Sequence, residues 1–518
     1  MTTAVASSRL AVLIVFVFTS AALPAESHWI HLDAGGKLVY AHSPKGDRVA
    51  DFSYAGYEGG GVALPQVPAK RTIAPSGRDD TAAIQQAIDA VSALPQVGGF
   101  RGAIVLAPGT FHCSGTLAIT ASGVVLRGAG DGDRGTTIQM TGEPHLALRI
   151  AGQLQQRGGS AATTITDEYV PSGTAMIHVA DATNLHPGDT LLILKPVTQS
   201  WIHFMGMDDM HRDGKPEHWV SSSNLEVRRR IAAVSGKTVT LEVPLMDDYD
   251  SRFFDGGHAE VRKVELSGQI SRVGVEDLRF VAPQRVIALE DRAFSGVSIH
   301  DVVDSWLRSV TLEDTTNGMS LNTGTERMTF LKCDIVQHVA VTSHAKPADF
   351  ACNGSQILFD RCTGSGDSTF YVVTQAGEQG PVVVLHCRFL GDGHIAPHQR
   401  WSTGLLIDST EVPGGGIDLM NRGEMGSGHG WPIGWSLAWN CTAKSFAMNT
   451  PPGSMIWSIG NRGEQTDPPF PVFDGGPPRA PLGPATVESA GKPVKPDSLY
   501  LEQLVERLGP HAVKNIGY

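Results

Sequence analysis

Two turn-rich stretches of the chain concentrate side chains that can move protons and bind anions. Residues 394–401 read HIAPHQRW, and residues 421–431 read NRGEMGSGHGW. A neutral histidine can accept a proton near neutral pH, and an arginine can bind a carboxylate through two parallel hydrogen bonds. Together these groups suit β-elimination from a uronate, in which a base removes the C5 proton while a cation neutralises the carboxylate.

This chemistry requires the two stretches to lie side by side, and a repeat in the chain predicts that they do. Short β-type runs recur every 18 to 31 residues and end at Thr315, Cys333, Cys362, Cys387, Thr410 and Cys441. A period of this length without helical patterning is typical of a β-solenoid, in which each coil adds one parallel strand to the coil before it. We expect the recurring cysteines to stack inside the solenoid as small apolar side chains, and not to form a disulfide framework.

The repeat also aligns the two histidines. His398 lies twelve residues before Thr410, and His429 lies twelve residues before Cys441. Equivalent positions on neighbouring coils are one strand spacing apart, about 4.8 Å, so we expect the two imidazoles to be neighbours. The same offset places Gln375 in this row on the preceding coil.

The predicted site follows from this row. Either histidine could be the base and the arginines would bind the carboxylate, which gives His398, Arg400, Arg422 and His429 as predicted catalytic residues. Residues expected to bind the sugar chain are Asn421, Trp401, Trp431, His344, Lys346, Gln375, Trp201 and Trp219, with Asp349 also lining the groove. Trp201 and Trp219 belong to a long polar loop at 200–220, which is either a lid on the groove or a self-packed surface loop.

Composition limits the class of partner. The chain has 518 residues, a formal net charge of −12, 59 glycines and only 7% aromatic residues. This mix favours strands and turns, and the negative charge argues against nucleic acid as a partner. A basic groove on such an acidic chain predicts an acidic polysaccharide as the substrate.

The flanking segments predict export and capping. Residues 1–25 have the pattern of a secretory signal peptide, so we expect a secreted or periplasmic monomer with no membrane span after cleavage. Helical spacing of apolar residues predicts a capping helix within 78–91 and a short C-terminal helix at 498–509. The remaining chain is expected to divide into an N-terminal cap with the first coils at 26–164, an inserted β module at 165–265, the main coils at 266–465, and a Pro-rich tail with a C-terminal helix at 466–518.

The N-terminal motifs resemble a known superfamily. DDTAAIQQAIDAV, GAIVLAPGTF and GVVLRGAG, within 78–130, are similar to the start of the pectate-lyase-like superfamily. The resemblance implies an all-β, right-handed parallel β-helix with an N-terminal capping helix, here with an inserted β module and a C-terminal helix. The superfamily includes polysaccharide lyases, glycoside hydrolases, epimerases and phage tailspikes. Many pectate lyases bind Ca²⁺ through clustered acidic residues; the equivalent coils here carry no comparable cluster, so the need for Ca²⁺ stays open.

Two other functions remain open at this point. An inverting glycoside hydrolase needs paired carboxyl groups about 6.5–9.5 Å apart. The available aspartates do not coincide in the repeat frame; they are Asp349, Asp367, Asp392 and Asp418. A non-catalytic glycan-binding solenoid would need aromatic and polar side chains but no base.

Overall fold

The computed structural model describes residues 25–158, 162–286, 288, 290–340, 346–473 and 481–518. The expected signal peptide, apart from Ala25, lies outside this part of the chain, as does the candidate residue His344. In the described ranges, no helix combines the length and apolar composition needed to cross a bilayer.

The parallel β-helix is confirmed: each coil runs through three sheets, here called A, B and C, and pairs in parallel with the next coil. Sheet A contains Ala69–Ile73, Gly102–Leu106, Val124–Arg127, Ile270–Ser271, Glu326–Leu331, Ser355–Asp360, Gln379–Leu385, Ser402–Asp408, Ile433–Gly434, Ser436–Trp439, Ile456–Ile459 and Thr486–Glu488. Sheet B contains Gly109–Cys113, Thr136–Met140, Asp334–Val336, Thr363–Ser365 and Arg388–Leu390. Sheet C contains Leu117–Ile119, Leu146–Ala151, Ser295–His300, Met319–Leu321, Ala348–Cys352, Phe370–Thr374 and His394–Ile395. Longer strands turn a corner: Gly274–Val281 and Val302–Glu313 join A to B, and Glu411–Leu419, Thr442–Thr450 and Arg462–Thr466 join B to C.

The corner between sheets A and B explains the repeat seen in the sequence. One residue there takes a left-handed backbone conformation in successive coils, among them Lys332, Arg361, His386, Ser409 and Asn440. The following side chain points inward and bonds to a carbonyl of the preceding coil. The Cys387 thiol donates to the Phe359 carbonyl at 3.4 Å, and the Thr410 hydroxyl donates to the Val384 carbonyl at 3.1 Å. All six cysteines are buried and free, so the expected interior stack is confirmed.

Thr315 was predicted to be one of the repeat positions, and this prediction is wrong. Thr311 pairs with Asp334, which makes Val310 the equivalent of Cys333 in the coil before it. Thr315 therefore lies beyond the corner. Valine fills the same interior space by burial alone, so the polar pattern that identified the other corners is missing here.

Both predicted capping helices are present. Thr81–Ser92 buries Ile84, Ile88 and Val91 against the first coils. Leu499–Leu508 begins at Ser498, whose hydroxyl accepts from the Leu501 backbone, and a further short helix, Pro510–Asn515, follows it.

The C-terminal residues 494–518, here called the C-terminal strap, run along the A–B corner. The Arg361 guanidinium donates to the carbonyls of Ile516 and Gly517 at 2.7 and 2.9 Å. His386 Nδ1 lies 2.9 Å from the Tyr518 hydroxyl. The Asn440 amide donates to the Asp497 carbonyl at 3.0 Å. The Ser409 hydroxyl donates to the same carbonyl at 2.9 Å. The strap therefore contacts four of these left-handed corner residues through their side chains.

An antiparallel sheet interrupts the coils between sheets C and A. Its strands are Gln155–Gly158, Thr163–Thr164, Met176–His178, Thr190–Pro196, Asn224–Ser235, Thr238–Leu241 and Glu260–Ser267. The loop at 200–220 carries a short helix, Gln199–Phe204, and a small hairpin, His211–Arg212 with Lys215–Pro216. This loop packs onto the β-helix beside the two histidine stretches.

Candidate functional site

The two histidine stretches lie on adjacent coils and are joined along their backbones. The Arg400 amide donates to the His429 carbonyl at 3.1 Å, and the Trp401 amide donates to the Trp431 carbonyl at 2.9 Å. The imidazoles of His398 and His429 meet edge to face, with ring centroids 4.8 Å apart. The side-by-side geometry expected from the repeat is therefore present.

His398 is held in one tautomer by its neighbour on the preceding coil. Its Nδ1 lies 3.0 Å from the amide oxygen of Gln375. An amide oxygen only accepts hydrogen bonds, so Nδ1 carries the proton and Nε2 carries the lone pair. Burial, together with the nearby charges of Arg422 and Arg400, lowers the pKa of His398 to about 4. The imidazole is therefore neutral at pH 7.

His398 lines a cleft on the outer face of sheet C, here called the His398 cleft, with a volume of about 490 Å³. Gln375, Lys346 and Phe370 line it with His398, and mostly small side chains of the earlier coils form its floor. This shape suits a chain-like ligand because the floor continues across several coils.

Two cations flank one aromatic ring at this cleft. The Arg422 guanidinium lies 5.3 Å from the centre of the Phe370 ring, and the Lys346 ammonium lies 5.9 Å from it. Arg422 also donates to the backbone carbonyls of Pro397 and His398, at 3.3 and 3.2 Å. Burial lowers the pKa of Arg422, and the Asp418 carboxylate opposes that shift. A half-buried guanidinium of this kind favours an anionic ligand.

His429 lies behind His398 and does not line the cleft. Its side chain is buried, and burial followed by the charge of Arg422 lowers its pKa to about 3. Gly426, which has a φ of +60°, lies against the ring: a Cβ there would be 2.1 Å from Nε2 of His429. The glycine-rich loop therefore allows His429 to pack tightly and to support His398.

Arg400 faces away from Arg422. Its Nη2 donates to the carbonyl and the hydroxyl of Ser427 at 2.9 and 2.8 Å, and its side chain lines a different cleft. Arg400 and Trp401 have φ values of 56° and 62°. Two successive left-handed residues break the in–out alternation of a strand, which is why the predicted pairing of the two arginines on one carboxylate is wrong.

The four tryptophans predicted to bind sugar are buried, so these predictions are wrong. Trp201, Trp219, Trp401 and Trp431 are at most 5% exposed. Trp201 stacks on Trp219 with ring centroids 4.9 Å apart, and Trp219 donates to the Trp431 carbonyl at 3.0 Å. Indole rings contribute most when their apolar faces are buried and their N–H finds an acceptor, as here. They attach the 200–220 loop to the β-helix.

Asn421 and Asp349 are also buried and do not line the groove as predicted. The Asn421 side-chain oxygen accepts from the Gly423 amide at 2.7 Å and so shapes the loop. Asp349 points inside the β-helix, where Thr369 Oγ1 is 3.3 Å away and burial raises the pKa of the carboxyl well above its ordinary value.

The other aspartates considered for hydrolysis serve local structure. Asp392 accepts from the Ser368 amide at 2.6 Å, and Asp367 accepts from the Asp392 amide at 3.3 Å. Asp418 lies 2.8 Å from His394 Nδ1. None of them lines the His398 cleft in the described part of the chain. The same part contains no group of three or more His, Cys, Asp or Glu side chains that could hold a metal ion.

Sequence reasoning missed two residues that the structure makes prominent. Phe370, the ring between the two cations, opens the apolar strand Phe370–Thr374 and carries no polar pattern. Glu378 is buried and lines the same cleft as Arg400. A charged residue directly before the apolar run of Gln379–Leu385 was the available signal for it.

Comparison with known proteins gives structural matches only. No protein-family profile and no curated protein matches the chain. The tailspike Gp54 of Acinetobacter baumannii bacteriophage AP22 has 12% identity, a TM-score of 0.25 and coverage of 76% of this chain and 71% of its own. Polygalacturonase from Erwinia carotovora ssp. carotovora has 10% identity, a TM-score of 0.35 and coverage of 78% and 95%. The Streptococcus pneumoniae surface adhesin PfbA has 8% identity, a TM-score of 0.32 and coverage of 77% and 86%. Similarity at this level carries no information about the activity of this chain.

Proposed function

We propose that the protein is a polysaccharide lyase that cleaves a uronic-acid-containing polysaccharide by β-elimination. The observation that carries the proposal is the His398 cleft, where a neutral imidazole of fixed tautomer lies with Lys346, and where the Arg422 guanidinium lies 5.3 Å from the centre of the Phe370 ring that lines the cleft. A hydrolase would instead need two carboxyl groups facing one cleft, and a purely binding protein would not need a positioned base.

The reaction assigns one role to each group. Arg422 pairs with the uronate carboxylate and stabilises the charge that develops as C5 loses its proton. Nε2 of His398 accepts that proton. The C4–O bond then breaks, a double bond forms between C4 and C5, and the leaving oxygen takes a proton from Lys346, the ammonium that lines the same cleft.

Substrate binding also prepares the base. Burial, followed by the positive charges of Arg422 and Arg400, lowers the pKa of His398. A bound carboxylate offsets the charge of Arg422 and so removes one of the causes that lower this pKa.

The cellular setting forms part of this proposal. The leader-like pattern of residues 1–25 supports export, so we propose that the protein acts as a secreted or periplasmic monomer on extracellular polysaccharide.

A substrate panel tests the proposal. The purified protein would be incubated with pectate, alginate, glucuronan, hyaluronan, chondroitin and heparan, with and without chelator. Ultraviolet absorbance would report unsaturated uronate ends, and a reducing-sugar assay would run in parallel. We expect both signals to rise together on one polymer and to be lost in His398→Ala, and the chelator arm decides the need for Ca²⁺.

The control is His394→Ala, which removes a half-exposed histidine of the same segment that is paired with Asp418. It should keep both signals. Reducing ends without absorbance would mean hydrolysis and would overturn the proposal, as would silence on every polymer.

A further inference from the structure

A second cleft, here called the Glu378 cleft, lies where sheet C turns into sheet A and the inserted module packs against the turn. Its volume is about 390 Å³. Its polar lining includes Glu378, Gln379, Asn353, Arg400, Arg228 and Arg229. None of the roles proposed above uses the carboxyl and amide groups of this cleft.

Several of these groups have no protein partner among the described residues. They are both carboxyl oxygens of Glu378, both side-chain polar atoms of Gln379, the Asn353 oxygen and Nε of Arg400. Glu378 is 3% exposed and Gln379 is 5% exposed. Buried polar side-chain atoms almost always have hydrogen-bond partners, so a cluster of them around one cleft points to a ligand.

Two of the guanidinium groups around the cleft are already engaged within the protein. Each nitrogen of the Arg229 guanidinium donates to a backbone carbonyl, and Nη2 donates to that of Gly380 at 2.7 Å. Arg228 is paired with Glu326 at 2.9 Å. Burial raises the pKa of Glu378 well above its ordinary value, although the charge of Arg229 opposes the shift. A protonated Glu378 carboxyl both donates and accepts a hydrogen bond.

The remaining groups are a mixture of neutral donors and acceptors, together with the Arg400 guanidinium, whose Nη2 is bonded to Ser427. Hydroxyl groups complement such a mixture because each one donates and accepts. The two clefts also adjoin: Gln375 lines the His398 cleft, and Ala376 and Gly377 line the Glu378 cleft. We therefore take the two clefts as neighbouring subsites for one polysaccharide.

We propose that the Glu378 cleft is a subsite for a neutral, hydroxyl-rich sugar ring, held by Glu378, Gln379 and Asn353. The choice of a saccharide rests in part on the proposed function, whereas the unpartnered groups are independent of it. If both hold, the substrate is a heteropolysaccharide in which a uronate is linked to a neutral sugar.

The test measures binding of neutral sugars to the full-length protein by saturation-transfer NMR and calorimetry. The probes are the methyl glycosides of glucose, galactose, mannose, rhamnose and N-acetylglucosamine. We expect at least one to bind with a Kd in the millimolar range. Glu378→Met should weaken that binding at least tenfold, because it removes every hydrogen bond of the carboxyl group. Glu378→Gln, which keeps one donor and one acceptor, should retain it within about threefold.

A stability measurement accompanies the binding measurement. A ligand-binding carboxyl buried without a protein partner is costly in the free protein, so Glu378→Met should keep or raise the melting temperature. Asn353→Ala, a second variant at a partly exposed position, should also weaken sugar binding several-fold.

Two results would overturn the inference: no probe binds the wild-type protein, or Glu378→Met and Asn353→Ala bind as tightly as wild type. His398→Ala separates this inference from the proposed function. It should abolish elimination and leave neutral-sugar binding unchanged. A protein that eliminates uronate but binds no neutral sugar would retain the proposed function and lose this subsite.

Discussion

Nδ1 of His398 and the amide oxygen of Gln375 lie 3.0 Å apart, joining equivalent positions of two adjacent coils. The bond places the proton on Nδ1 and leaves Nε2 as the proton acceptor. Gln375 therefore acts through His398 and is a positioning residue in the proposed reaction.

Removing the base and removing its positioning partner should differ in size. His398→Ala should lower kcat by about 100- to 10,000-fold, the usual range for a general base. Gln375→Leu should lower kcat by about tenfold with little change in KM, because it removes one hydrogen bond that fixes the tautomer. Gln375→Glu should restore much of the activity, since its carboxylate accepts the same hydrogen bond. Steady-state kinetics on the polymer identified in the panel would check this, and an unchanged kcat in Gln375→Leu would contradict the role.

The loss of activity at acid pH should occur at an unusually low pH. The base must be unprotonated, and burial and nearby arginine charges lower the pKa of His398 to about 4 in the free protein. The value of kcat/KM should therefore hold as pH falls through 6.5 and decline only near pH 4. Arg422→Gln should move this decline to higher pH, because it removes a positive charge that disfavours the imidazolium. A wild-type decline near pH 6.5 would speak against His398 as the base.

His429 should make the fold sensitive to acid. Its pKa of about 3 lies below that of an unfolded histidine, so the unfolded state binds more protons between these values. Its contribution to stability is present above about pH 6.5 and is lost as pH falls toward 3. His429→Gln should flatten the fall in the free energy of unfolding between pH 6.5 and 4, measured by denaturant titration. Equal slopes for variant and wild type would exclude this linkage.

Because the tryptophans are buried, we expect that removing one of them lowers the stability of the fold and leaves substrate binding unchanged. Trp219→Ala should lower the free energy of unfolding by about 3–5 kcal/mol, because it opens a cavity between the 200–220 loop and the β-helix. KM should stay within about twofold of wild type under conditions where the variant is folded. A large rise in KM with little loss of stability would instead place this indole on the substrate.

The interior stack at the A–B corner should tolerate threonine at position 387 better than leucine, as judged by the stability of the two variants. Cys387→Thr should change stability by less than about 1.5 kcal/mol, because Thr410 already makes the equivalent bond on the next coil. Cys387→Leu should cost about 1–3 kcal/mol from overpacking. Thermal unfolding of both variants would check this. An equal loss of stability in the two variants would mean that the side chain of residue 387 is not tightly packed.

The sequence predicted what depends on the repeat. Side chains at the A–B corner stack from coil to coil. The spacing of Cys387, Thr410 and Cys441 therefore predicted which residues of adjacent coils are equivalent, and so it predicted the contact between His398 and His429. The same logic failed at Val310, where an apolar residue fills the corner without a polar signature.

What depends on tertiary packing or local backbone conformation could not be predicted. Nothing in the pattern of Trp201 and Trp219 separates a ring that faces solvent from one that a loop folds beneath. Arg400 is a residue type that could bind a carboxylate, but its left-handed backbone conformation directs its side chain into the Glu378 cleft and away from the His398 cleft. The unpartnered groups of Glu378 become visible only when the inserted module is placed against the coils.

The C-terminal strap has a consequence for how this molecule comes apart. Coils of a solenoid contact only their neighbours, so a bare stack can fray from either end one coil at a time. Here Arg361, His386 and Asn440, from separate coils, bond to the strap. None of these coils can open without releasing the strap that the others hold. The middle of the β-helix is therefore expected to lose its structure in a single all-or-none step, as a small globular domain does.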